Sequence, residues 1–264
     1  MDGIGLAGCG RTGAQMLARL RDAGIDARGF DIRHNEQQAE VATSITLDAA
    51  EFVRGLGCLI VAVRDIAACE ALLFEDQGLA RAAPELHTIV LCSTLSPRYV
   101  RALRARIPAR IGLVDAPLSG GPRAAREGRL TFLVGGTDAE IARIAPVLAV
   151  LGHVDRMGEF GSGMAAKALH DIVATTASAM TRSALQWADA LGIDESRLLD
   201  VVGIAATRSL YGQAEGPGGA EGKALDDLSQ DLGAKLTQAL SGAHLNSPIA
   251  MRALRPAARA RTLH

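Results

Sequence analysis

Apolar positions along the chain follow two rhythms. In the first half, short runs rich in β-branched residues alternate with stretches whose apolar residues recur every three to four positions. The runs predict strands at Gly3–Ala7, Ala27–Asp31, Cys58–Val63, Thr88–Cys92, Gly112–Ala116, Leu130–Val134 and Val154–Met157. The intervening stretches predict helices at Thr12–Ala23, Ile66–Leu73, Pro97–Arg106 and Asp138–Leu151. Strands alternating with helices imply a mostly parallel sheet covered on both faces. The rhythm then changes. From Gly163 to about Leu191 no Pro and no further Gly interrupts the chain, and Ala, Met and Leu recur. At 1.5 Å per residue this is a helix about 40 Å long. Further helices are expected at Glu195–Val202, Lys223–Leu240 and Pro248–Arg261, with a Gly-rich loop at Gln213–Gly222. The expected fold class is α/β: a domain with a mostly parallel sheet over residues 1–161, then an all-helical domain over residues 162–264 entered through one long helix.

Composition narrows the functions open to such a fold. The 264 residues carry 28 basic and 29 acidic side chains, a net charge of -1, which argues against a nucleic-acid partner. Aromatic residues make up 3%, too few for a base-stacking surface. No apolar run approaches the roughly 18 residues of a membrane span. The N-terminus lacks a basic region ahead of its apolar run, so no secretory signal is expected. Cys9, Cys58, Cys69 and Cys92 have neither metal-ligand nor disulfide spacing and read as buried, reduced thiols of a cytoplasmic protein. No metal site is expected. Only three of the basic residues are Lys: Lys167, Lys223 and Lys235. Where Arg has replaced Lys so widely, a surviving Lys marks a position where a titratable amine matters, since Arg cannot lose its proton near neutral pH.

The strongest local motif is Gly8-x-Gly10-x-x-Gly13, directly after the first predicted strand. The first Gly permits a tight turn, the second lets a pyrophosphate approach the backbone, and the third lets helix and strand pack closely. The phosphates would lie at the helix N-terminus, beside Arg11 and Thr12, where unpaired N–H groups and the helix dipole favour negative charge. Asp31, 18 residues after Gly13 at the end of the second strand, is suited to accept both ribose hydroxyls of NAD. Arg33 and Arg11 could instead attract the 2′-phosphate of NADP. Residues 1–161 are thus expected to form a Rossmann dinucleotide-binding domain, with NAD the expected cofactor and NADP possible. Val63, Arg64 and Thr94, at the ends of the next two strands, complete the expected cofactor site.

A second set of residues points to the chemistry. The chain reads Asp115-Ala116-Pro117-Leu118-Ser119-Gly120-Gly121, then Ala125, Gly128, Leu130, Gly135-Gly136 and Gly161-x-Gly163-x-x-x-Lys167. Ser119 and the Gly120 and Gly121 amides form a donor cluster able to hold a carboxylate or a substrate oxygen. With the N-terminal glycines and Ser93-Thr94-Leu95-Ser96-Pro97, these motifs resemble the β-hydroxyacid dehydrogenase family. That family includes 3-hydroxyisobutyrate dehydrogenase, tartronate semialdehyde reductase and, more distantly, 6-phosphogluconate dehydrogenase. The resemblance runs from Gly3 to about Ile193. It implies hydride transfer between nicotinamide and a small β-hydroxy acid or the matching semialdehyde or keto acid. It also implies that Lys167 handles the proton on the substrate oxygen, a task open to a partly desolvated amine.

The chain departs from the family pattern in four places. Asp171 stands where the family has Asn, one helical turn after Lys167 and next to His170. An ionised carboxylate there opposes loss of the Lys proton and repels a carboxylate substrate by roughly 1–4 kcal/mol at 4 Å. Asp171 and His170 are therefore expected to orient or tune Lys167, with Asp171 counted in the catalytic set and His170 beside the substrate. Gln230-Asp231-Leu232 replaces the family's Lys-Asp-Leu, Thr12 replaces Met before Gly13, and the tail after Pro248 is short. Two alternatives follow: an imine reductase, whose iminium substrate Asp171 would favour, or a non-catalytic cofactor-binding dimer module. The helical domain has little core of its own, so a homodimer or homotetramer is expected, with a small-molecule substrate and no membrane partner.

Overall fold

A computed structural model describes residues 3–211, with side chains as far as Gly203. The sheet is built on near-continuous apolar runs. Strands β1 (Gly3–Ala7), β4 (Leu56–Val61), β5 (Thr88–Leu91) and β6 (Gly112–Asp115) are buried along almost their whole length. Such runs lack alternation because helices cover both faces of a parallel sheet. β2 (Ala27–Phe30) and the two-residue β3 (Ile45–Thr46) extend one side, giving the parallel order β3-β2-β1-β4-β5-β6. The sheet continues with β8 (Leu130–Gly135), antiparallel to β6; β7 (Leu118–Ser119) and β9 (Gly152–Gly158) pair with β8. The order reverses direction at β1, between β2 and β4. In sheets of this type, ligands bind outside the carboxyl ends of the strands at that reversal.

The helices lie where sequence punctuation puts them. α1 (Arg11–Asp22) follows β1 and buries Ala14, Met16, Leu17 and Leu20 on one face. Short α2 (Ala49–Phe52), α3 (Ile66–Leu73), α4 (Leu79–Ala82), α5 (Pro97–Leu103) and α6 (Pro122–Arg126) fill the crossovers. Asp48, Asp65 and Ser96 cap α2, α3 and α5. α7 (Asp138–Leu151) opens with a Thr137–Glu140 capping box, and Glu140 Oε1 also accepts the Leu113 N–H at 3.0 Å, tying the helix to β6. Two hydrophobic clusters, one on each face of the sheet, form the core.

α8 (Ser162–Ala190) is the long helix expected from the sequence, followed by α9 (Glu195–Tyr211), which runs further than the expected Glu195–Val202. The chain divides into a compact unit of Met1–Ile172 and a second unit beginning at Val173, and α8 passes through the division. The boundary expected after residue 161 lies eleven residues before that division, just ahead of α8. β4 runs Leu56–Val61 where Cys58–Val63 was expected: Ala62 still donates its N–H to Ala7 O at 2.8 Å, and the chain then turns against Gly8. The expected helices at Lys223–Leu240 and Pro248–Arg261, the loop at Gln213–Gly222 and the Gln230-Asp231-Leu232 motif lie outside the described residues.

Candidate functional site

The first β–α junction builds an anion cradle from backbone. Gly8 has φ +96°, a conformation that disfavours a side chain, and donates its N–H to Phe30 O at 2.9 Å. A Cβ there would stand 2.6 Å from Ala62 O and 2.9 Å from Val63 N. The glycine thus lets the ends of β1 and β4 touch, which brings Val63 to the loop. At Gly13 a Cβ would lie 2.0 Å from Gly8 O, so helix and loop are in contact. Gly10 differs: a Cβ there meets nothing within 4 Å. It is the N-cap of α1, with no side chain bonded to the first turn. Close packing therefore accounts for Gly8 and Gly13 but not for Gly10. The open space above Gly10 and the uncapped N–H groups of α1 fit a pyrophosphate.

Asp31 follows β2 and is partly exposed; its Oδ1 accepts the Ile32 N–H at 2.8 Å. The segment after it is fastened to the glycine loop by two amide side chains. Gln38, almost fully buried, donates through Nε2 to Cys9 O at 3.3 Å and to Arg33 O at 3.2 Å. Asn35 Nδ2 reaches the same Cys9 carbonyl at 3.4 Å, and its own N–H donates to Gln38 Oε1 at 3.2 Å. Neither amide was foreseen, although Asn35-x-x-Gln38 has capping-box spacing. Burial pushes the Cys9 thiol up to about 12, with the Asp31 charge adding to it, so it stays protonated near neutral pH. All four cysteines are free and buried. Arg11, Arg33 and Arg64 are exposed, and Arg64 pairs with Asp65 at 2.9 Å. Thr94 is exposed after β5, beside buried Ser93, whose hydroxyl donates to Val61 O at 3.3 Å. The expected cofactor residues thus gather at the carboxyl ends of β1, β2, β4 and β5.

The second set involves β7, at the far end of the strand order from β3, and the start of α8. Ser119 ends β7, paired with Thr131 of β8, and Gly120 has φ +122°. Gly121 caps α6 with no side chain on its first turn and open space at its Cβ position. Lys167 lies on α8 with only 9% of its surface exposed. Its Nζ donates to Asp171 Oδ1 at 2.6 Å, and His170 Nδ1 lies 3.1 Å from the same oxygen. These contacts hold the Asp171 carboxyl below the usual carboxylate range, the Lys167 hydrogen bond first and His170 after it. The structure thus brings Lys167, His170 and Asp171 together. Among the described residues no hydrogen bond joins them to Ser119–Gly121.

The family model for the NAD-binding domain of 6-phosphogluconate dehydrogenase matches residues 3–158. The chain is 31% identical to 3-hydroxyisobutyrate dehydrogenase of Pseudomonas aeruginosa over 210 residues, covering 76% of this chain and 69% of the relative. It belongs to the β-hydroxyacid dehydrogenase family. L-Threonate dehydrogenase of Escherichia coli K12 is 30% identical, with 78% of this chain and 70% of the relative covered. A 3-hydroxyisobutyrate dehydrogenase of Mycobacterium tuberculosis, solved with L-serine, superposes with a TM-score of 0.68 at 25% identity, covering 96% and 91% of the two chains. This dehydrogenase is an NAD(P)-dependent oxidoreductase of the 3-hydroxyisobutyrate dehydrogenase type. No helix of its described residues is long and apolar enough to cross a membrane, and no group of three metal-ligating side chains occurs among them.

Proposed function

We propose that the enzyme interconverts a small β-hydroxy acid and its semialdehyde or keto acid, with Lys167 as the proton-transfer group. The observation that carries this reading is the burial of Lys167 in a hydrogen bond to Asp171. A buried amine is costly unless paired, and the chain retains few other lysines. When bound, the nicotinamide accepts or supplies the hydride. Ser119 Oγ and the Gly120 and Gly121 N–H groups hold the substrate carboxylate. In reduction the Lys167 ammonium donates its proton to the carbonyl oxygen; in oxidation the neutral amine removes the hydroxyl proton. Asp171 orients Lys167 and balances its charge, so the repulsion of a carboxylate substrate is largely offset within the pair. His170 steadies Asp171 from the other side. Gly8, Gly10, Arg11, Thr12 and Gly13 receive the pyrophosphate, Asp31 accepts the ribose hydroxyls, and Val63, Arg64 and Thr94 border the rest. The unshared Asp31 oxygen supports NAD over NADP. The functional enzyme is a homodimer or homotetramer, which light scattering will read.

The test is turnover with NAD and with NADP over 3-hydroxyisobutyrate, L-serine, L-threonate, 2-(hydroxymethyl)glutarate and tartronate semialdehyde, with a cyclic imine included. Turnover of one hydroxy acid or semialdehyde, lost in Lys167→Met, is expected. Preferential reduction of the imine would move the assignment to an imine reductase. Dinucleotide binding with no turnover of any compound would leave a cofactor-binding module.

A further inference from the structure

The Gly135-Gly136 and Gly161-x-Gly163 patterns carry no chemistry of their own. In the structure, glycines of both patterns line the seat of one buried side chain, Asp115, which closes β6 with no exposed surface. Asp115 Oδ1 accepts the Gly161 N–H at 2.6 Å, and Oδ2 accepts the Met164 N–H at 2.7 Å. Gly161 immediately precedes α8 and Met164 lies in its first turn, where N–H groups have no partner within the helix. A strand residue thus does for α8 what an N-cap side chain does locally, and its charge meets the positive end of the helix dipole. The seat leaves room for nothing larger than glycine. A Cβ on Gly135 would stand 2.3 Å from Asp115 Oδ1; one on Gly163 would stand 2.2 Å from Leu133 O and 2.9 Å from Asp115 Oδ2. Burial pushes the Asp115 carboxyl up from its ordinary value, while the Gly161, Met164 and Gly163 N–H groups act in the opposite direction.

Asp115 also begins the segment that leads to Ser119–Gly121. On α8, Lys167 follows Met164 by three residues, and both are buried, so they share a face. One carboxylate therefore links the root of the donor loop to the root of the helix bearing the amine. We propose that Asp115 is a positioning residue: it clamps the start of α8 to the end of β6, so that Lys167 is held in register with the donor loop. The proposal rests on Lys167 being the acid/base group.

Asp115→Asn keeps the volume but turns one acceptor into an N–H donor facing an N–H. It is compared with Lys167→Ala and with the double variant, using NAD and 3-hydroxyisobutyrate, or L-serine if that is turned over faster. The expected Asp115→Asn protein is folded and binds NADH like the parent, while kcat falls about 100-fold, as for an ångström-scale misplacement. The double variant is expected to be no slower than Lys167→Ala, because both changes act through one group. Amide exchange over residues 161–168 is expected to quicken while β1 and β4 stay protected, a readout independent of turnover. A kcat within twofold of the parent, unchanged exchange, or losses that multiply in the double variant would each overturn the proposal. Full kcat in Lys167→Ala would instead remove the acid/base reading itself. If Asp115→Asn does not fold, Asp115→Ser, smaller and retaining one acceptor, takes its place. Failure of both to fold would mark the carboxylate as purely structural and overturn the proposal.

Discussion

Replacing Gly10 with alanine is expected to weaken dinucleotide binding and spare the fold, whereas Gly13→Ala is expected to damage the fold itself. The two glycines share one loop but have different surroundings. At Gly13 the new Cβ would stand 2.0 Å from Gly8 O, and real contacts essentially never fall below 3.0 Å, so α1 must withdraw by at least 1.0 Å. Overpacking of that kind costs about 1–3 kcal/mol, a large share of a total stability of about 5–15 kcal/mol. At about 2–4 °C per kcal/mol for a folded unit of this size, Tm should fall by about 2–12 °C. At Gly10 the methyl group meets nothing within 4 Å, and φ -76° suits any residue, so only the modest preference of an N-cap for Gly over Ala is lost. That methyl occupies the approach to the α1 N-terminus, and NADH should bind at least about tenfold more weakly, a change of about 1.4 kcal/mol. Thermal melting with and without NADH, together with calorimetric titration, separates the two effects. Unchanged NADH affinity in Gly10→Ala, or equal losses of Tm in both variants, would refute the assignment of the open space to a pyrophosphate.

Three further outcomes are expected. Lys167→Met should lower kcat by about 10²–10⁴-fold, the range of general acid–base catalysis, with NADH affinity unchanged in a fluorescence titration. Asp31→Ser should narrow the preference for NADH over NADPH by at least about tenfold, read as the ratio of their Kd values, because repulsion of a 2′-phosphate is removed. Asp171 is held below its ordinary value by Lys167 and His170. Its stabilisation is therefore complete above the unfolded value near 3.9 and is lost as pH falls through the lower, folded value. Urea midpoints at pH 6 and pH 3 should converge slightly in Asp171→Asn. The effect is small because Asp171 is two-fifths exposed.

The parts of the fold legible in the sequence are those whose limits are set locally. β1, α3 and α7 have the limits expected from the residue pattern because Gly8, Asp65 and the Thr137–Glu140 box mark their ends. β3 and β7, two residues each, are strands only because a neighbouring strand aligns them, so no periodic signal precedes them. The glycine loop was legible in the same way, and the scarcity of Lys pointed to Lys167, which the structure buries. Asp115 was visible as a letter but not as a clamp, since its partners lie 46 and 49 residues downstream. Gln38 stands in a polar stretch where the Asn35-x-x-Gln38 spacing signals a helix start but not that the amide is buried.

The two amides that grip the Cys9 carbonyl make the segment proposed to read the ribose an exchangeable cassette. Its fixed ends are β2 and Gln38. Between them Ile32 is 70% exposed, and Arg33 and His34 are also exposed, so these three side chains contribute little to the core. On the proposed assignment of Asp31 to the ribose, sequence drift across residues 31–34 would retune which dinucleotide is accepted while Asn35 and Gln38 keep the backbone docked. On the proposed role of Asp31, cofactor choice would rest on a surface stretch that selection, or an engineer, can rewrite without renegotiating the fold.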